Sequence, residues 1–123
     1  AGLNGGLLYN SWPDMNGSFI PDDTIKTDLY NLESLNNASV IQFYHRLVAY
    51  ILILFLIILN YFFYKNKIEL KPIIFFNFAI LFQVILGIVT LITGVKIYYA
   101  SLHQLGSVFV LSSFLFIYYK NTN

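Results

Sequence analysis

Three long apolar stretches dominate this sequence and decide what it can fold into. Between Leu47 and Tyr64 every residue except Asn60 is apolar or aromatic. A helix of about 20 such residues crosses the hydrocarbon core of a bilayer, which is about 30 Å thick. Two further stretches of similar character follow, separated by short polar segments. We therefore predict an all-α membrane protein with transmembrane helices over residues 41–64, 72–92 and 98–119.

The composition agrees with a chain whose side chains mostly avoid water. Of the 123 residues, 58% are hydrophobic and only 11% are charged, whereas a soluble domain carries about 25% charged residues. The net charge of +1 gives no electrostatic reason to expect a nucleic-acid partner. The absence of cysteine excludes disulfides, thiolate metal sites and a cysteine nucleophile. The partner indicated by composition is the lipid bilayer.

Local signals predict where the helices begin and end. Ser39, with Gln42 three residues later, fits a capping box at the start of the first helix. Pro72 suits the first turn of the second helix, where its missing N–H is no loss. Gly94 is placed to end that helix. Amide and hydroxyl side chains inside the spans are expected to face other helices, because polar groups in a membrane need partners; they include Asn77, Gln83, Gln104 and the serines of the third span.

The chain divides into two regions of different polarity. Residues 1–39 carry five carboxylates and one lysine, whereas residues 65–71 carry three lysines and one glutamate. The positive-inside rule then places residues 65–71 on the inner side and residues 1–39 on the outer side. We predict an outer-side polar loop over residues 1–39 and a three-helix transmembrane region over residues 40–123. Four residues at helical spacing predict a short amphipathic helix or a packed helical turn within the loop: Ile25, Leu29, Leu32 and Leu35.

His45 and His103 are the only histidines in the sequence. Each lies within the first two turns of its predicted helix, and both helices begin on the outer side, so the two imidazoles are expected at similar depth. Two interpretations stay open. Each histidine can anchor its helix at the headgroups, or the pair can clamp a planar macrocycle from its two faces, since neutral imidazole is a good ligand of haem iron. Zinc is a weaker alternative, because no Asp, Glu or Cys lies near either histidine in sequence.

Arg46 follows His45 directly, and adjacent helix positions do not share a face. The long side chain of Arg46 can still reach outward to a haem propionate. A headgroup phosphate is an equally good partner for the guanidinium. Arg46 is therefore a candidate cofactor-binding residue with an open alternative.

Three motifs occur in a fixed order along the chain. The first covers residues 1–17 and continues to Ile20 and Pro21, and the second is Val-Ile-Gln-Phe-Tyr-His-Arg-Leu at residues 40–47. The third is Gln-Val-Ile-Leu-Gly-Ile-Val-Thr-Leu at residues 83–91, followed by Gly-Val at 94–95 and Leu-His-Gln at 102–104. Together they resemble the haem A synthase family, in particular its cysteine-lacking branch of alphaproteobacteria and mitochondria. Order and spacing are similar to the second half of that family from end to end.

The resemblance implies an oxidoreductase built from two similar four-helix halves, each with a histidine pair. Such an enzyme oxidises one ring methyl of haem O to the formyl group of haem A for cytochrome oxidase assembly. The pair of the second half matches His45 and His103, which are expected to ligate the iron of a haem b cofactor. The substrate and a catalytic carboxylate are assigned to the first half, so this chain alone is expected to hold no catalytic residue.

The resemblance also implies that the first helix of this haem-binding bundle lies upstream of Ala1. The N-terminal half is then an expected partner, in the same precursor or as a separate chain. The expected location is the mitochondrial inner membrane or the bacterial plasma membrane. Three positions depart from the family pattern without touching the ligands: Tyr44 replaces Asn or Asp, Gly5 replaces a common Ala, and Lys96 stands where Pro often follows Gly-Val.

Two other functions fit the same sequence. The chain can be a membrane anchor subunit whose bis-histidine haem carries electrons among the subunits of a respiratory complex. It can also be a structural membrane subunit without haem. A haem spectrum distinguishes the structural subunit from the other two, and an assay of haem O conversion distinguishes the synthase from the anchor.

Overall fold

A computed structural model of the protein describes residues 4–23 and 31–122. Within these ranges the chain forms three long helices: α1 (Ala38–Lys65), α2 (Leu70–Ile92) and α3 (Ile97–Thr122). Each is long and apolar enough to cross a membrane. The prediction of an all-α protein with three spans is confirmed, and the β-structure of the described residues is limited to an isolated bridge between Met15 and Ser18. Below, the end of the bundle that carries residues 4–23 is called the loop end, and the end with the α1–α2 connection is called the hairpin end.

The polar region before α1 contains two short 3₁₀ helices, Gly5–Leu7 and Leu32–Asn36. The predicted amphipathic helix falls partly on residues 24–30, which lie outside the described residues. Its remainder, from Leu32 onward, is the second 3₁₀ helix. That turn leads directly into α1.

The first residues of α1 differ from the sequence prediction. The N-cap is Asn37, whose Oδ1 accepts a hydrogen bond from the backbone N–H of Ser39 at 2.9 Å. Asparagine is among the strongest N-cap residues, so the predicted capping box of Ser39 and Gln42 is wrong. Both side chains are instead used by the loop: the Ser39 hydroxyl donates to Asp23, and the Gln42 amide donates to the carbonyl of Tyr9.

The ends of α2 follow the sequence signals closely. Pro72 lies in the first turn and is buried. At the other end Gly94 has a φ of 72°, a left-handed conformation that glycine adopts without a steric cost. The N–H of Val95 donates to Thr90 O at 2.8 Å and the N–H of Gly94 donates to Leu91 O at 3.1 Å. This pair of bonds is a Schellman motif, which satisfies the last carbonyl groups of α2.

Two apolar clusters hold the bundle together at opposite ends of α1. At the hairpin end, the buried cluster joins all three helices through Phe63, Ile73, Phe76, Ile80 and Ile117. At the loop end, Phe43 of α1 packs with Tyr9 and Met15 of the loop. Helices α2 and α3 pack closely together, whereas α1 contacts α2 more sparingly. Many other apolar side chains are exposed, as expected for faces that meet lipid or further helices.

A reciprocal pair of amides joins α1 to α2 within the apolar region. Asn60 Nδ2 donates to Asn77 Oδ1 at 2.9 Å, and Asn77 Nδ2 donates to Asn60 Oδ1 at 2.7 Å. Asn60 also donates to Leu56 O of its own helix. The prediction that Asn77 faces another helix is therefore confirmed.

Candidate functional site

The two histidines meet at the loop end of the bundle. His45 projects from the early turns of α1 and His103 from the early turns of α3, and their ring centroids are 6.1 Å apart with an angle of 80° between the ring planes. The structure thus brings together the two imidazoles that the sequence placed at equal depth. His45 is exposed, whereas His103 is half-buried. One imidazole is embedded in the bundle and the other is accessible beside it.

Helix α2 shapes the position of His103. A Cβ atom added to Gly87 would lie 2.9 Å from His103 Cε1, which is closer than such atoms pack, so the imidazole occupies space that only glycine leaves open. Gln83, one turn earlier on α2, donates from Nε2 to the backbone carbonyl of His103 at 2.8 Å. His103 Nδ1 is buried and has no hydrogen-bond partner among the described residues. Buried polar atoms are nearly always paired, so this nitrogen needs a partner that the present arrangement of the described residues does not provide.

The separation of the two rings fits a shared metal ion. An imidazole nitrogen binds a metal at about 2 Å and lies about 1 Å from the ring centre, so two imidazoles on opposite sides of one metal have centres about 6 Å apart. Axial rings can rotate about the metal–nitrogen bonds, so the angle between the planes does not restrict this arrangement. The described residues contain no group of three or more His, Asp or Glu able to hold an ion. Two imidazoles alone suit an iron whose other ligands come from a macrocycle.

Arg46 is committed to the loop. The guanidinium donates from Nη1 to Asp14 O at 2.6 Å and from Nη2 to Tyr9 O at 3.0 Å, with a longer contact to Pro13 O at 3.5 Å. Only 9% of Arg46 is exposed. These acceptors escaped the sequence analysis because main-chain carbonyl groups leave no signal in a sequence. Binding of a haem propionate by Arg46 stays a prediction that these contacts do not test.

Arg46 belongs to a polar face that runs along the first turns of α1. Gln42 Nε2 donates to Tyr9 O at 2.7 Å, and the Tyr50 hydroxyl donates to Pro13 O at 3.4 Å. Positions 39, 42, 46 and 50 follow the helical repeat, so they share one side of α1. We call these four residues the loop clamp. Gln42, Arg46 and Tyr50 fasten residues 9–14 to the same helix that carries His45, and Ser39 fastens Asp23 to it.

A carboxylate closes the loop against the start of α1. Asp23 accepts hydrogen bonds from the Ser39 hydroxyl at 2.5 Å and the Tyr9 hydroxyl at 2.8 Å. The bond from Ser39, helped by the one from Tyr9 and opposed by burial, lowers the pKa of Asp23 below its usual value. Burial, together with the neighbouring Asp23, raises the pKa of Tyr9. The carboxylate is therefore the charged partner that these hydroxyl groups stabilise near neutral pH.

Comparison with known proteins places the chain in a family. A family model described as cytochrome oxidase assembly protein matches residues 1–115. The chain belongs to the haem A synthase family. Over 123 residues, which is 100% of the chain, it is 58% identical to a haem A synthase of Pelagibacter ubique. It is 40% identical to one of Rickettsia felis over 97% of the chain, and 34% identical to one of Wolbachia pipientis over 94%.

The matched proteins are much longer than the 123 residues of this sequence. The chain spans 37%, 36% and 32% of the length of these three relatives. No solved structure matches the chain. Membership of the haem A synthase family and three membrane-spanning helices together make the chain part of a multi-pass membrane protein.

Proposed function

We propose that this chain is the C-terminal half of a haem A synthase and holds one haem b between His45 and His103. The observation that carries the proposal is the approach of the two imidazole rings to 6.1 Å across α1 and α3. The space that Gly87 leaves for the imidazole of His103 supports it. The relatives' name, haem A synthase, together with the resemblance of the sequence motifs to that family, extends the proposal to the whole protein, an oxidoreductase that would oxidise the haem O ring methyl to the formyl of haem A for cytochrome oxidase assembly.

In this proposal the residues of the chain hold the cofactor and do not act on the substrate. Two imidazoles bound to one haem iron would leave it no open coordination position, so the group would supply electron transfer rather than oxygen binding. Helix α2 fixes His103 through Gly87 and Gln83, while α1 presents His45 beside it. Substrate and catalytic groups would lie in the N-terminal half, which is the partner that the proposal requires.

The three relatives named above are bacterial, which favours the plasma membrane over the mitochondrial inner membrane as the location. The lipid bilayer is the surrounding partner, and haem O is the substrate of the whole enzyme. Subunits of a respiratory complex would be partners only in the alternative function, an electron-carrying anchor.

The test uses the natural full-length protein, purified from membranes in mild detergent. The unmodified protein is expected to show a low-spin haem spectrum, and His45→Ala and His103→Ala are each expected to abolish it. Ser107→Ala, an exposed change one turn beyond His103, is the matched control and keeps the spectrum. A low-spin spectrum that survives both histidine changes would contradict the ligand assignment. Haem retention without conversion of haem O by the unmodified protein would favour the anchor.

A further inference from the structure

Gln83 is held against His103 in a fixed orientation. Its Nε2 donates to the backbone carbonyl of His103 at 2.8 Å, and a carbonyl can only accept, so the nitrogen of the amide must point that way. The oxygen Oε1 then points elsewhere, into the α2–α3 interface. Gly106 provides the room, because a Cβ atom added there would collide with Gln83 Oε1.

Each of these two residues also has a buried polar atom without a partner among the described residues, and the two atoms are complementary. Gln83 Oε1 is a buried acceptor with no donor, and His103 Nδ1 is a buried nitrogen with no partner. When one nitrogen of a neutral imidazole binds a metal, the other carries the proton and becomes a donor. A histidine that binds a metal through Nε2 therefore has an Nδ1–H to donate, and the one unpartnered acceptor on the residue bonded to it is the amide oxygen of Gln83.

We propose that Gln83 is the positioning residue of the haem ligand His103, with its Oε1 accepting a hydrogen bond from one buried water that in turn accepts the Nδ1–H of the imidazole. This inference rests on the proposed function and adds to it a residue that sets the electron-donating strength of the ligand. Partners of this kind orient a ligating imidazole and raise its basicity. A more basic imidazole stabilises ferric iron, so this link from the imidazole to Gln83 would keep the reduction potential of the haem low.

The inference is tested by the reduction potential of the haem in the full-length protein. Gln83→Leu removes the acceptor and is expected to raise the potential. Gln83→Glu supplies a stronger acceptor and is expected to lower it, measured at about pH 9 so that a buried carboxyl group is ionised. A residue that merely packs would shift both variants in the same direction or neither. Pulsed EPR of the remote imidazole nitrogens gives a second readout, in which one of the two nitrogens should change in Gln83→Leu.

Gln104 offers a matched control, because it is also a glutamine, is adjacent to His103 in sequence and is exposed. Gln104→Leu is expected to leave the potential unchanged, and Gln104→Glu to lower it less than Gln83→Glu does. Three results would overturn the inference and leave the histidine assignment intact. They are equal shifts of the reduction potential at positions 83 and 104, shifts of the same sign in both Gln83 variants, and loss of haem from both Gln83 variants. Absence of a low-spin haem from the unmodified protein would instead overturn the proposed function, and this inference with it.

Discussion

His45 and Arg46 are neighbours in sequence but serve different surfaces of α1. The Arg46 side chain is buried against the loop, whereas His45 is exposed and approaches His103. The similar depth of the two histidines could be predicted from residue spacing, since each lies about two turns into a helix that starts at the same end. The partners of Arg46 could not be predicted, because they are carbonyl oxygens whose positions depend on how residues 9–14 fold.

Arg46→Lys is expected to loosen the loop while leaving its charge in place. Lysine has a single nitrogen and cannot reproduce the planar fork that reaches Tyr9 O and Asp14 O. The loss of about 1–2 kcal/mol should raise amide hydrogen exchange of residues 9–18 by a factor of about 5–30. Lys120→Met is the control, because Lys120 lies in the last turn of α3, far from the loop. It should leave amide hydrogen exchange of residues 9–18 unchanged.

Haem content measured on the same Arg46→Lys protein tests the propionate prediction independently. Faster amide hydrogen exchange of residues 9–18 with unchanged haem content would mean that Arg46 holds the loop and does not bind haem. Reduced haem content with a low-spin spectrum intact supports contact with a propionate. Unchanged exchange would contradict the importance of the loop clamp.

At the scale of the elements, the three helices were predictable and their first residues were not. The predicted spans 41–64, 72–92 and 98–119 lie inside the observed helices, because hydropathy is a property of many residues together. The end of α2 at Gly94 was also predictable, since a left-handed residue there favours glycine. The cap of α1 was missed because Asn37 and Ser39 are both good N-caps, and the choice between them depends on Asp23, which is 16 residues away and takes the Ser39 hydroxyl.

The amide pair of Asn60 and Asn77 is expected to stabilise the contact between α1 and α2. Asn77→Leu leaves the Asn60 amide with only its own helix as partner, and interhelical hydrogen bonds in membranes contribute about 0.6–2 kcal/mol. The double variant Asn60→Leu/Asn77→Leu should cost less than the sum of the two single changes, because it leaves no amide unpaired. Steric trapping of the unfolded protein in bicelles measures these free energies.

Asn66→Leu is the matched control for this cycle, because the Asn66 amide donates only within its own helix, to Phe62 O. Additive effects of the Asn60 and Asn77 changes would contradict direct coupling between the two amides.

For the whole molecule, α1 is held at the loop end by residues 9–14 and at the hairpin end by α2 and α3. The orientation of this bundle in the membrane stays a prediction from the distribution of lysines. It could be inferred from the sequence because it depends on charge totals in the connecting segments and not on packing.

Single cysteines introduced at Asn16, Lys67 and Lys96 test the orientation, since the chain itself contains no cysteine. A membrane-impermeant maleimide added from outside is expected to label positions 16 and 96 and to spare position 67. Labelling after the membrane is opened is the control and should reach all three. Outside labelling of position 67 alone would reverse the topology.

The loop clamp has a consequence for how this region can change over evolutionary time. Gln42, Arg46 and Tyr50 donate hydrogen bonds to backbone carbonyl oxygens, which every amino acid has. These hydrogen bonds therefore depend on the backbone conformation of residues 9–14 and not on the identity of their side chains. Exposed residues such as Asn10 and Trp12 can therefore be substituted during evolution without loss of these hydrogen bonds, provided that the backbone conformation is unchanged. Gln42, Arg46 and Tyr50 cannot, because their side chains are the donors.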